Sequence, residues 1–278
     1  MCRFSLVVMV PLCAFLIGCG GGSSSPGGGG FTPANVQGQY ESVAQSNSSP
    51  TSIALIEANF TQTGTDVFAG KQSVVLILGT QGSTGITLTG LGGECDSGVL
   101  GDDSVQGTFS SATQLAFTLT EAGSLGTGTT TGNVVAASDG SKITSGTYNT
   151  PAACGFQADS GTLTGTKIQP FSGSYAGMLA NSSGTTDAVI VTVSQSGLNL
   201  TVSGTDNGTS FSLTGSVVGA TFDVSGTISG QTATFVGIYD HVNNTFLVFD
   251  SNFNFLGTLK AGTNPQAIAV SGFLRAAS

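Results

Sequence analysis

From about residue 38 onward, apolar and polar side chains alternate with a period of two, and the 3.6-residue period of an amphipathic helix is almost absent. Leu198, Leu200 and Val202 alternate with Asn199, Thr201 and Ser203, and Ile86 to Gly90, Leu115 to Leu119 and Thr162 to Lys167 repeat the pattern. Val74 to Leu78 is continuously apolar, as in a strand covered on both faces. The links are short and built from turn residues: Gln195-Ser196-Gly197, Asp206-Asn207-Gly208, Ser229-Gly230 and Val242-Asn243-Asn244. Links this short join antiparallel neighbours, because parallel pairing needs a long crossover. The chain is therefore expected to be all-β and antiparallel.

The strands fall into two series separated at Gln169-Pro170. Each series opens on Gly-x-Tyr (Gly38-Gln39-Tyr40 and Gly173-Ser174-Tyr175), and in each an early strand ends in a polar residue and a glutamine, Thr61-Gln62 and Ser194-Gln195. Each holds about eight strands in a normal domain length. Two related β-domains are expected, 31–169 and 170–278, with a last strand at 267–274 of unassigned partner. Apolar–Thr/Ser–Gly recurs at Leu88-Thr89-Gly90, Leu163-Thr164-Gly165, Val202-Ser203-Gly204, Leu213-Thr214-Gly215, Val224-Ser225-Gly226 and Val270-Ser271-Gly272. Each glycine shares the inward face with an apolar residue two positions earlier, where a missing side chain lets a sheet bend sharply. That favours meander barrels, which close their own edges; β-sandwiches fit the same strands. The opening Gly-x-Tyr resembles the Gly-x-Trp of lipocalins and related calycins, although this chain has no tryptophan. The resemblance implies an eight-stranded barrel around a small apolar ligand.

Ahead of the β-region lie Arg3, an apolar run from Phe4 to Ile17, and Leu16-Ile17-Gly18-Cys19. The run spans about fourteen residues, short of the roughly twenty that cross a hydrocarbon core, and reads as a secretory signal peptide. Leu16 to Cys19 resembles the lipobox of bacterial lipoproteins. The resemblance implies removal of residues 1–18, acylation of Cys19 and an anchor of several acyl chains, which holds stably where a single chain does not. Gly20 is not the aspartate that in the proteobacterial family favours inner-membrane retention, which points to the outer membrane. Residues 19–30, nearly all glycine and serine after the cysteine, form a flexible tether with a reach of roughly 18 Å.

Loss of Arg3 changes the formal charge from −9 to −10 and leaves Lys71, Lys142, Lys167, Lys260 and Arg275 as the only lysines and arginines. An acidic chain without a basic patch repels phosphate backbones, which excludes nucleic acid as a partner and leaves the acyl chains as the membrane attachment. Once Cys2 and Cys13 leave with the signal and Cys19 is acylated, Cys95 and Cys154 remain and read as one disulfide in an exported protein. Closing a loop of about sixty residues is worth around 4 kcal/mol in the chain-entropy model.

No residue set points to catalysis, a metal or a cofactor. His241, the only histidine, lies beside Asp240 in a hairpin turn and reads as an exposed turn residue, and no nucleophile elbow accompanies it. Asp102-Asp103 and Asp206-Asn207-Gly208 are fragments of calcium loops without the full spaced ligand set. Glu57 and Lys71 read as surface charges. The clustered aromatics Tyr239, Phe246, Phe249, Phe253 and Phe255 are candidates for an apolar pocket, against the plainer and favoured reading of an ordinary core. The expectation is a non-catalytic, lipid-anchored protein of the bacterial cell envelope whose β-domains bind or build, with an envelope protein, a glycan or a small apolar molecule as partner. The alternatives are a lipocalin-like carrier and a hydrolase working through paired carboxylates.

Overall fold

The computed structural model describes residues 30–82, 85–91, 95, 103–181 and 184–264. The signal peptide, Cys19, Asp102 and the strand expected at 267–274 lie outside the described residues. Within them the chain is all-β, and its strands form two closed antiparallel barrels of eight strands each. Both barrels belong to one compact unit.

The first barrel uses β1 (Gly38–Ser46), β2 (Ser52–Thr63), β3 (Asp66–Ala69), β6 (Ser104–Phe109), β7 (Gln114–Gly123), β8 (Gly126–Ala136), β9 (Lys142–Thr150) and β10 (Asp159–Lys167). The ring closes where β1 pairs with both β2 and β10, through Tyr40 opposite Ala58 and Lys167. It departs from a simple meander at one place. The far edge of β2 is shared: residues 52–58 pair with β4 (Val74–Gly82), while residues 61–63 pair with β3, which passes the ring on to β6. The hairpin of β4 and β5 (Gly85–Leu91) thus lies outside the ring. Cys95 and Cys154 are joined as a disulfide, with Cα atoms 5.0 Å apart.

The second barrel is an unbroken meander: β11 (Ser172–Ala180), β12 (Thr186–Ser196), β13 (Asn199–Asp206), β14 (Thr209–Val218), β15 (Thr221–Ile228), β16 (Gln231–Asp240), β17 (Thr245–Asp250) and β18 (Phe255–Ala261). Pairing of β11 with β18, Tyr175 opposite Ala261, completes the ring. The turn residues behave as their chemistry demands. Asn207-Gly208 and Ser229-Gly230 both take positive φ at the two central positions, as a two-residue hairpin with the right twist requires.

The two barrels open in the same way. Gly38 and Gly173 have φ of 123° and 120°, and the tyrosines two residues later are buried. Gln62 accepts the Val36 N–H and donates to the Gly64 carbonyl; Gln195 accepts the Phe171 N–H and donates to the Gly197 carbonyl. In each case a glutamine at a hairpin ties down the segment that enters the barrel.

The inward glycines account for the closure. A Cβ on Gly215 would lie inside the contact shell of the Asp223 carbonyl oxygen, and one on Gly204 would meet the Ile190 carbonyl oxygen. Neighbouring strands therefore cross closer than a side chain allows. Alanine ordinarily improves a strand interior over glycine by roughly 0.5–1 kcal/mol. Gly215→Ala is expected to do the opposite, destabilising the protein by about 1–3 kcal/mol through overpacking, measured as a lower urea midpoint at unchanged slope.

Candidate functional site

The two ends of the second barrel differ. At the end formed by the β12–β13, β14–β15 and β16–β17 turns, aromatic rings fill the interior. Phe246 lies with its ring centre 4.6 Å from Tyr175, 4.8 Å from Tyr239, 5.4 Å from Phe222 and 5.6 Å from Phe171. The tilted and edge-on geometries are those that favour aromatic pairs. Both tyrosine hydroxyls donate to the Asn244 side-chain oxygen, at 3.1 and 2.7 Å, so the plug leaves no phenol unsatisfied. Burial, with Tyr239 alongside, pushes the Tyr175 phenol up, so it stays neutral.

Above this floor the barrel is hollow. A cavity of about 670 Å³ is walled by inward residues of all eight strands, among them Leu179, Val189, Val191, Val202, Leu213, Val224, Phe235, Val248 and Leu259. The volume is within the range of about 300–1,000 Å³ typical of small-molecule sites. The first barrel has the same strand number but holds spaces of only about 130 and 40 Å³, because Tyr40, Phe60, Phe117 and Leu163 fill it. An eight-stranded ring is at the size where either outcome is open, so the side chains decide. The inward apolar residues of β12 are all valine (Val189, Val191 and Val193), and β13 and β15 add Val202 and Val224 beside the inward glycines Gly204 and Gly226.

The open end of the cavity carries Asp187, Asp206 and Asp250, and among the described residues no basic side chain lines it. Each continues the inward parity of its strand: Asp187 before Val189 and Val191, Asp206 after Val202 and Gly204, Asp250 after Phe246 and Val248. Asp187 accepts from the Asn207 and Asn181 side chains at 2.6 and 3.0 Å. The Asn254 side chain and the backbone N–H groups of Asn252 and Asn254 hold Asp250 below the usual carboxylate range. Asp206 is different. Its Oδ1 has no partner, and burial together with the nearby Asp187 raises its pKa. Since Val189 faces Asp206 across the ladder, Asp187 and Asp206 are diagonal neighbours, a relation that places residues ~7–8 Å apart.

Of the aromatics singled out from sequence, Phe246 and Phe255 line the cavity. Tyr239 belongs to the floor, Phe249 stacks on Phe255 with ring centres 5.5 Å apart, and Phe253 lies in the loop after β17 with a φ of 62°. The inward Phe222 and Phe235 and the three aspartates went unrecognised. For Phe222 and Asp206 the signal was present, because they sit at even offsets from Val224 and Val202, which the recurring glycine pattern places inward. Asp103, the described half of its acidic pair, is buried and accepts the Ala122 N–H. Among the described residues no group of histidine, cysteine and carboxylate side chains is arranged to hold a metal ion.

Two expectations need correction. Glu57 is not a surface charge: it is 0 % exposed, and its Oε2 accepts the Ala220 N–H of the second barrel at 2.7 Å. His241 is not a freely exposed turn residue. Its side chain is 21 % exposed, with Nδ1 3.8 Å from the carboxylate of Glu41. Both were misread because their covering partners come from the other barrel. Glu41 and Glu57 face one another in register across β1 and β2, and they line none of the three cavities of about 670, 130 and 40 Å³.

No protein-family model, curated protein or solved structure matches this chain. The hollow interior makes a mechanical prediction. Placing a larger apolar side chain in a packed core costs about 1–3 kcal/mol. Val202→Phe, which points into the cavity, is expected to change stability by less than about 1 kcal/mol, whereas Ala58→Val in the filled barrel takes the full overpacking cost. Paired urea melts of the two variants check this.

Proposed function

We propose that this protein is a non-catalytic, lipid-anchored component of the bacterial cell envelope whose second barrel takes up one small, largely apolar molecule through its open end. The observation that carries this reading is the cavity of about 670 Å³, walled by valine, leucine and phenylalanine above an aromatic floor. Burying apolar area there gains roughly 25 cal/mol per Å², without a large conformational cost in a closed barrel. The acidic end selects the head group: a fatty-acid carboxylate is repelled by Asp187, Asp206 and Asp250, while a neutral or cationic head is accepted. Anchoring rests on the lipobox-like Leu16 to Cys19, and the tether of residues 19–30 gives the barrels room above the outer membrane. The carrier, second to a general binding or structural role on sequence grounds, thus becomes the favoured form of binding.

A hydrolase has one observation in its favour, the diagonal Asp187 and Asp206 with unequal surroundings. The apolar wall beneath them offers no ring of hydrogen-bonding groups for a sugar, so binding is preferred. Asp206→Asn separates the two, since a binding site keeps its ligand and an acid–base pair loses all turnover.

Native mass spectrometry on the protein exported without its anchor (residues 31–278) tests the site. An added mass of a few hundred daltons, lost on denaturation and absent from Val202→Phe, is the expected result. A clean apo mass together with no uptake of long-chain alkyl amines or alcohols overturns the reading. For the anchor, Cys19→Ala is expected to move the protein from the detergent-extracted membrane to the soluble envelope fraction; retention in the membrane overturns that part.

A further inference from the structure

The closed end of the second barrel rests on the outer face of β1 and β2. A single apolar cluster runs from Ile53, Leu55, Val75 and Ile77 of the first barrel through Ile168 and Phe171 into the interior of the second. The linker is pinned at both ends, with the Ile168 N–H donating to the Gln39 carbonyl and the Phe171 N–H to Gln195. In the middle of this junction sit two carboxyl groups. Glu41, 6 % exposed, and Glu57, 0 % exposed, are directly opposed in register. Gly219, with a φ of 57°, lets the β14–β15 turn approach so closely that a Cβ there would strike Glu57 and the Tyr40 carbonyl. The turn gives Glu57 one N–H, from Ala220, and nothing else: Glu57 Oε1 and Glu41 Oε2 are both buried without a hydrogen-bond partner.

The charges around the pair make matters worse for two carboxylates. From the β16–β17 turn come His241 and Asp240. Both His241 ring nitrogens lack a hydrogen-bond partner, and burial lowers its pKa, so it is neutral near pH 7. Asp240, buried and tied to the Val242 and Asn243 N–H groups, adds negative charge. β4 contributes Val75 opposite Glu57. β10 contributes Thr166 opposite Glu41, while Lys167 pairs with Tyr40 and lies over its ring. The β12 turn contributes neutral Gln195, bonded to Gln39. Among the described residues no cation balances the pair, and two adjacent buried carboxylates so placed cannot both ionise at tolerable cost.

We propose that the junction is a proton-linked clasp, closed while the facing Glu41 and Glu57 side chains hold at least one proton between them and loosened as that proton leaves. Burial, with Asp240 alongside, raises the Glu41 carboxyl to about 7, and burial beside Glu41 raises Glu57 well above the ordinary range. The open or unfolded junction releases these protons near the usual glutamate value of about 4.3. Their stabilisation is therefore complete at low pH and is lost as pH rises through 7 and beyond. His241 acts in the opposite sense, opposing closure as pH falls below its usual value of about 6.5. Above pH 7 it is neutral in both states, and the glutamates act alone.

Hydrogen exchange of the mature protein in detergent micelles reads the clasp at the Ala220 amide. After correction for intrinsic base catalysis, protection of the 217–222 segment is expected to fall up to about tenfold per pH unit above pH 7, the dependence of one linked proton. Protection of β13 in the barrel wall should stay level. Glu57→Gln keeps an oxygen for the Ala220 N–H but cannot titrate, so its protection should level off once Glu41 has lost its proton near pH 7 instead of continuing to fall; Glu41→Gln should lessen the slope. Wild-type protection that does not change from pH 6 to 9 overturns the proposal. So does a slope that persists undiminished in both variants.

Discussion

Ring closure is the constraint on which everything else in this protein depends. An antiparallel sheet with a free edge exposes a row of unpaired N–H and C=O groups, and closing the sheet on itself removes it. Closure at eight strands sets a narrow interior, and it demands that strands coil past one another at distances a side chain would block. Gly204 and Gly215, each facing a neighbouring carbonyl oxygen, are where the second barrel meets that demand. Once the ring is closed, the interior volume is fixed by geometry, and the only remaining variable is what the inward side chains do with it.

The two barrels answer that question differently. In the first, Tyr40 packs against Phe60 and reaches the Gly140 carbonyl, and large side chains divide the interior into spaces of about 130 and 40 Å³. In the second, the aromatic residues are gathered at one end, and the walls above are dominated by short branched side chains. The floor is built around Phe246, which touches the other four rings, and the two phenols share one acceptor, Asn244. The cavity is bounded by this floor and by the ring of strands. Division of labour follows: the filled barrel is the base, and the hollow barrel is the cup.

Much of this was legible in the sequence because it depends on local rules. Alternation gave the strands, Asn207-Gly208 and Ser229-Gly230 gave the hairpins, and the inward glycines gave the bending. The paired Gly-x-Tyr and glutamine signals correspond to equivalent bonds at the two barrel entrances. The floor and the cavity were only half legible: Phe246 and Phe255 were found, but parity along β12, β13 and β17 was not followed to the aspartates at the strand ends. The division of β2 between two partners was not legible, since β3 is only four residues long and its exchange with β4 leaves no local signature. Least legible were Glu57 and His241. Nothing near Glu57 in the chain betrays that its hydrogen-bond donor is 163 positions away.

That buried glutamate also bears on why the barrels stay together. Domain interfaces within a chain are usually small and permit relative motion unless they are large and apolar. Here the apolar part, from Ile53 and Leu55 to Phe171, is continuous with the cup's own core. On stability alone, an apolar or amide side chain at position 57 would serve at least as well, because burying a carboxyl with one bond satisfied and one oxygen orphaned is a net cost. Glu41 compounds it by bringing a second carboxyl into register. A junction built for permanence would need neither. A junction whose grip depends on proton activity needs an ionisable pair placed where water and cations do not reach, and the approach of Gly219 against Glu57 seals it there. The same turn leads into β15, whose Phe222 packs against Phe246 at the floor of the cup. Whatever shifts the clasp therefore acts on the segment that carries the floor, which connects the buried protons to the cavity through one short stretch of chain.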